Sequence, residues 1–234
     1  MTTPPLLVCY GGTFDPVHNG HLAVARTVRD ALSARVALVP AHDPPHKGPT
    51  RADALQRAEM LELAIADEPG LCVDRRELGR DGPSWTVDTL TDLRGELGND
   101  APIAWLIGAD SLRQLASWHR WRSLFELAHI IAVQRPGAAI DAASLRMEAA
   151  DVFAELEPRW RKPEQLADAA HGGFALVPMH GLRPESSSEI RRRISAGEPW
   201  QDWVPPAVAD YIARHRLYRP AAVILATSPS SDSP

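Results

Sequence analysis

Short apolar runs at 6–10, 35–39, 71–74, 103–107, 129–133 and 174–178 alternate with longer stretches in which apolar residues return every three or four positions. A run that is apolar at nearly every position suits a strand covered on both faces, whereas a 3.6-residue period suits a helix with one buried face. The helical patterns fall at 21–33, 52–66, 86–97 and 111–117, the last continuing towards Leu127 with a break. Strand followed by helix, repeated, predicts an α/β fold: a Rossmann-like, doubly wound parallel sheet with helices on both faces. Right-handed crossovers then place the loops after the strands, 10–21, 41–50, 108–111 and 134–137, along one sheet edge, where open α/β sheets bind ligands.

Beyond the last strand, SSSEIRRRISAG (186–197) and PPAVADYIARHRLY (205–218) predict two C-terminal helices, the second with Pro205 and Pro206 near its start. Segment 141–170 is helix-like over 142–156 and is then interrupted at Pro158 and Pro163. The tail 221–234 ends in Ser and Pro and is expected to be disordered, which leaves one domain over 1–220.

Composition narrows the class. Charged residues make up 24% and hydrophobic residues 44%, the balance of a globular protein and far from a disordered one. No apolar run reaches the roughly 18 residues that cross a bilayer, and the N-terminus lacks the pattern of a secretory signal, so a cytoplasmic protein without a membrane partner is expected. A formal charge of −5 argues against a surface that coats nucleic acid, so an anionic ligand would have to be attracted by a few placed residues. Cys9 and Cys72 lie in separate apolar segments without metal-ligand spacing, which predicts buried free thiols.

The candidate chemistry opens at the first strand. In GGTFDPVHNGHL (11–22), Gly11 and Gly12 allow a tight turn and close backbone approach, and a helix starting near Gly20 points unpaired N–H groups at the same place. His18 and His21 would add imidazole donors, completing a phosphate cradle; a turn residue and a helix cap are the structural alternative. Later motifs also have structural readings of their own. Asp110 serves as a helix N-cap, Ser84 or Thr86 caps the helix at 86–97, Trp121 suits the core, and 186–188 open a serine-capped helix.

The chain as a whole resembles the bacterial nicotinate-nucleotide adenylyltransferase family, within the nucleotidyltransferase superfamily marked by (T/H)xGH. The resemblance runs from about Leu6 to Tyr218 through GGTFDPVHNGHL, PPHK (44–47), SWTVDTL (84–90), LIGADSL (106–112), ASWHRW (116–121), RPG (135–137) and SSSEIRRRI (186–194). It implies adenylyl transfer from ATP, carried as Mg²⁺-ATP without a protein metal cage, to nicotinate mononucleotide, giving nicotinate adenine dinucleotide and pyrophosphate. By the same resemblance His18, His21 and Arg191 act on the transferring phosphate. ATP is met by Gly11, Gly12, Thr13, Phe14 and His21, by Gly108, Asp110 and Arg135, and by Ser186, Ser187, Ile190 and Arg191. Nicotinate mononucleotide is met by Thr13, His18, Lys47, Thr86, Trp118 and His119, with Trp118 as the stacking face and the helix start at Thr86 favouring the pyridine carboxylate.

Three positions depart from the pattern: His119 stands where some relatives carry Tyr, Ser188 where Thr is usual, and Glu185, expected to point outward, where Ile is usual. A phosphopantetheine adenylyltransferase shares the opening motif but lacks SWTVDTL and ASWHRW. A cytidylyltransferase ranks lower, and a tRNA synthetase lacks room for an anticodon-binding domain. From another class, a sensor would bind both nucleotides without turnover. Oligomeric state is left open.

Overall fold

The structure is a computed structural model that describes residues 5–44, 48–134, 140–179, 181 and 183–220. Six strands form one parallel sheet: β1 (Leu7–Gly12), β2 (Arg35–Pro40), β3 (Leu71–Val73), β4 (Ile103–Gly108), β5 (His129–Gln134) and β6 (Phe174–Pro178). Their order, β3-β2-β1-β4-β5-β6, is the doubly wound arrangement, and chain direction across the sheet reverses between β1 and β4. The two are held in parallel register from Leu7 opposite Ile103 to Tyr10 opposite Leu106.

Successive strand residues face opposite sides of the sheet, and the core divides accordingly. Cys9, Ala37, Trp105, Ile130 and Phe174 pack under α3 (Thr86–Leu97). Val8, Val36, Ala104, Leu106 and Ile131 pack on the other face against Val24, Ala25 and Val28 of α1 (Asn19–Leu32). A third cluster gathers α2 (Ala54–Ile65), α8 (Ser187–Ala196) and α9 (Pro206–Arg214) around Phe14, Leu22, Leu61, Ile190, Val208 and Tyr218. Cys9 is fully buried and its thiol is pushed up to about 12 by desolvation. Cys72 is only partly buried, its Sγ donating to the Val36 carbonyl.

The pattern at 111–117 resolves differently from its sequence reading. α4 (Ala109–Arg113) begins two residues earlier and gives way to a 3-10 turn at Leu115–Ser117, a second at Trp121–Ser123 and the single turn of α5 (Leu124–Leu127). The helix expected over 142–156 is two, α6 (Ala142–Glu148) and α7 (Ala150–Leu156), broken at Ala149. No helix among the described residues is long and apolar enough to cross a membrane. Lys47, Arg135 and the tail 221–234 lie outside the described residues.

Candidate active site

The carboxyl ends of β1 and β4 open at the topological switch point into a cleft of ≈ 440 Å³. Its wall brings together Gly11 to Phe14, His21, Thr86, Gly108, Asp110, Trp118, His119 and Ser187 from the sequence reading. Among the described residues, His18, Ser186, Ile190 and Arg191 are not part of that wall. Ile190 is fully buried in the cluster formed with Phe14, Leu22 and Tyr218.

His18 and His21 start α1 in a specific way. His18, 4% exposed, is the N-cap residue: its Nδ1 accepts the His21 backbone N–H (3.4 Å), while His21 Nδ1 accepts the His18 backbone N–H (3.3 Å). This is a capping box made of two imidazoles. An Nδ1 that accepts has no proton, so each neutral ring carries its N–H on Nε2. The rings stack with centroids 3.7 Å apart, and Phe14 meets His21 edge-on at 4.9 Å, which fixes both planes.

Gly11 and Gly12 lie within β1, and neither adopts positive φ. Their lack of a side chain answers to packing instead. A Cβ on Gly11 would stand 2.2 Å from Trp105 Cζ2, and one on Gly12 would stand 2.8 Å from the Phe14 ring. The Trp105 indole thus occupies the floor of the cleft, a feature the apolar run at 103–107 concealed.

The loop after β1 is fastened from three directions. Asp15, 5% exposed, accepts the Arg51 and Ala52 backbone N–H groups at 2.8 and 3.1 Å and the Tyr218 hydroxyl at 2.8 Å. Its carbonyl accepts Arg191 Nη1 at 2.6 Å, and the next carbonyl, of Pro16, accepts the Ser187 hydroxyl at 2.9 Å. From below, the fully buried Arg57 donates to the Thr13 and His42 carbonyls, 2.7 and 3.2 Å away, clamping the loops after β1 and β2 together. Burial pushes its guanidinium down, against the field of Asp15. Arg57 was legible in principle: at the spacing of α2 it falls on the same face as Ala58, Met60, Leu61 and Ala64, where a lone Arg marks a buried polar anchor.

On the opposite wall, α3 has Trp85 as its N-cap, with no side-chain cap. The expected caps are engaged elsewhere or lie within the helix. Ser84 Oγ accepts the His42 and Asp43 N–H groups (3.0 and 3.4 Å) and hydrogen-bonds the Glu77 carboxylate, while Thr86 is the first helical residue. The Glu77 carboxyl is pushed up by desolvation despite its bonds from Thr89 and Ser84. No side chain caps the start of α3, and Thr86, its first residue, lines the cleft, where the positive end of a helix dipole suits an anion. Beside it the Trp85 and His119 rings stand 5.0 Å apart at 32°, while the Trp118 indole lines the same end of the cleft. Trp121 is buried in the core, as its sequence context suggested.

Two readings need correction. Asp110 is not the N-cap of α4; Gly108 is, and the Asp110 side chain projects 99% exposed from the first turn. Glu185 does not point outward. Its carbonyl lies 3.6 Å from where a Gly20 Cβ would stand, pressing this segment onto the start of α1 and leaving the side chain 9% exposed. Its Oε1 reaches Arg183 at 3.7 Å, and Oε2 has no hydrogen-bond partner among the described residues.

Residues 9–193 match the cytidylyltransferase-like family model, which places the cleft at the switch point of this doubly wound sheet in a nucleotidyltransferase. The chain is 52% identical over 219 residues to a probable nicotinate-nucleotide adenylyltransferase of Stenotrophomonas maltophilia (strain K279a), covering 92% of this chain and 97% of the relative. It is 44% identical over 220 residues to a protein of the same name from Xylella fastidiosa (strain M12), with the same coverage. The chain belongs to the nicotinate-nucleotide adenylyltransferase family. Among solved structures, Plasmodium falciparum nicotinic acid mononucleotide adenylyltransferase complexed with NaAD superposes with a TM-score of 0.71 at 18% identity, covering 92% of this chain and 98% of the other, a likeness of fold.

Proposed function

We propose that this protein transfers the adenylyl group of ATP to nicotinate mononucleotide, releasing pyrophosphate and nicotinate adenine dinucleotide. The observation that carries the reading is the cleft itself: the His21 ring, stacked on the buried His18, at one end and a helix start without a side-chain cap beside aromatic rings at the other. A nucleotide phosphate with a second pKa of about 6 is largely dianionic at neutral pH and needs no base to become a nucleophile. One of its oxygens attacks the α-phosphorus of ATP in line; the bond to the bridging oxygen breaks, and that electron pair leaves with pyrophosphate. Catalysis is then positioning and charge stabilisation.

His18 and His21 donate to the α-phosphate. Ser187, Ser186 and Arg191 meet the leaving end, the Arg191 guanidinium turning its remaining N–H groups there while Nη1 keeps Asp15. Gly108 and Asp110 face the ribose and adenine, and Lys47 and Arg135 supply phosphate contacts in the family pattern. No group of three His, Cys, Asp or Glu among the described residues could hold a metal ion; Mg²⁺ enters with ATP as part of the substrate and offsets triphosphate charge. At the other end, Thr86 and the α3 N–H groups take the pyridine carboxylate and Trp118, with His119, stacks on the ring. The chain works in the cytoplasm as one nucleotidyltransferase domain.

The test is pyrophosphate release with nicotinate mononucleotide, nicotinamide mononucleotide or phosphopantetheine as acceptor. Strong preference for the first is expected, and His21→Asn, which keeps an acceptor for the His18 N–H, is expected to lower kcat by about 10²–10³-fold. Turnover only with phosphopantetheine, or with none of the three, overturns the reading in favour of the related transferase or the sensor.

A further inference from the structure

Tyr218 stands far along the chain from every motif above, yet it holds two parts of the phosphate site at once. It is 5% exposed in the cluster formed by α2, α8 and α9, and it adopts a left-handed backbone, φ 64°, unusual for a bulky residue. Its hydroxyl donates to Asp15 Oδ1 at 2.8 Å, and its carbonyl accepts the Ser195 hydroxyl at 3.0 Å. Asp15 belongs to the loop that leads into His18; Ser195 lies one helical turn after Arg191 on α8. One residue therefore grips the histidine-bearing loop through its side chain and the arginine-bearing helix through its backbone.

We infer that Tyr218 is a positioning residue for adenylyl transfer, setting the separation between the His18 loop and the Arg191 helix. The inference rests on the function proposed above. The Arg191–Asp15 contact crosses the same gap, so the two bonds converge on one residue: Arg191 on the Asp15 carbonyl and Tyr218 on its carboxylate. Burial and the neighbouring Asp15 carboxylate push the phenol far above its ordinary range, so it stays a donor at working pH. Without the hydroxyl, Asp15 Oδ1 keeps, among the described residues, the Ala52 N–H alone, and the loop loses its tie to the segment that fixes α8. A strained backbone persists only where its surroundings over-determine it, which agrees with a residue kept for its two-sided grip.

The experiment compares steady-state kinetics and Tm of the full chain with those of Tyr218→Phe, Arg191→Lys and the double variant. Tyr218→Phe keeps the ring in the core and removes the hydroxyl. About a tenfold loss of kcat is expected, because small misplacements of reacting groups are costly, with KM for nicotinate mononucleotide within about twofold of wild type. In the Arg191→Lys background the same change is expected to alter kcat by less than about twofold, since both residues act through Asp15. Affinity for a non-hydrolysable ATP analogue, measured by calorimetry, repeats the comparison if Arg191→Lys turns over too slowly. A fall in Tm with kcat unchanged well below it, or equal losses in both backgrounds, overturns the inference. Absence of turnover in the wild type overturns the functional reading, and this inference with it.

Discussion

Trp105 shows how one side chain fixes another's identity. Its indole fills the space a Cβ on Gly11 would need, 2.2 Å from the nearest ring carbon. Gly11→Ala should therefore destabilise the fold by about 1–3 kcal/mol, the usual cost of overpacking, with part of the Tm regained in Gly11→Ala, Trp105→Leu. An unchanged Tm in the single variant would mean that the indole moves aside freely. The same pair marks a limit of sequence reading. The sequence puts Gly11 in a turn after the strand, whereas it lies within β1 under the indole, because periodicity tells which face of a strand Trp105 occupies but not how far its ring reaches across a neighbouring strand. Arg57 and Asp15 illustrate the complementary case: each sits in a legible motif, but their partners are 44 and 36 residues away in sequence, and only tertiary packing pairs them.

For elements, the sequence pattern located the six strands and the helices with caps to within a few residues, because side-chain alternation and the 3.6-residue period are local properties. It blurred where 3-10 turns replace helix, at Leu115–Ser117 and Trp121–Ser123, since a three-residue turn has no period to read. The caps of α3 were misread because Ser84 spends its oxygen on the loop after β2 rather than on its own helix. That bond makes Ser84 the link between the loop at 41–44 and the helix start. Ser84→Ala is expected to raise KM for nicotinate mononucleotide about tenfold, equivalent to one or two hydrogen bonds, with KM for ATP unchanged. Equal rises in both would show that the substitution disturbs the whole cleft.

Across the whole molecule, the two edges of the sheet carry different burdens. The carboxyl edge holds the cleft; the amino edge is stitched by Arg94, which donates to the carbonyls of Leu127, Ala101 and Ala170, and by His129. His129 is 1% exposed, with Nδ1 accepting the Gly173 N–H and Nε2 against the Ala169 carbonyl. A proton on Nδ1 would face an N–H donor, and burial already pushes the imidazole below its ordinary value of 6.5. The unfolded chain thus takes up this proton first as pH falls below 6.5, and stability is lost from there down to the lowered native value. Glu189, held at about 2 by Arg192 and Arg193, stays ionised through that window. Thermal melts between pH 7.5 and 5 should show a declining Tm in wild type and a flatter profile in His129→Gln, measured from each protein's own value at pH 7.5. Parallel profiles would assign the acid sensitivity to other groups.

His21 on the cleft wall and the buried His18 stacked against it also begin the first helix. Each ring lends Nδ1 to the other's backbone, so the tautomer of the pair is a by-product of capping. A descendant of this chain that gave up catalysis would still lose about 0.5–2 kcal/mol on replacing either histidine with a residue that cannot accept. Capping would keep an acceptor at both positions whatever became of the chemistry, so the persistence of hydrogen-bonding residues there in a lineage testifies to folding before it testifies to turnover.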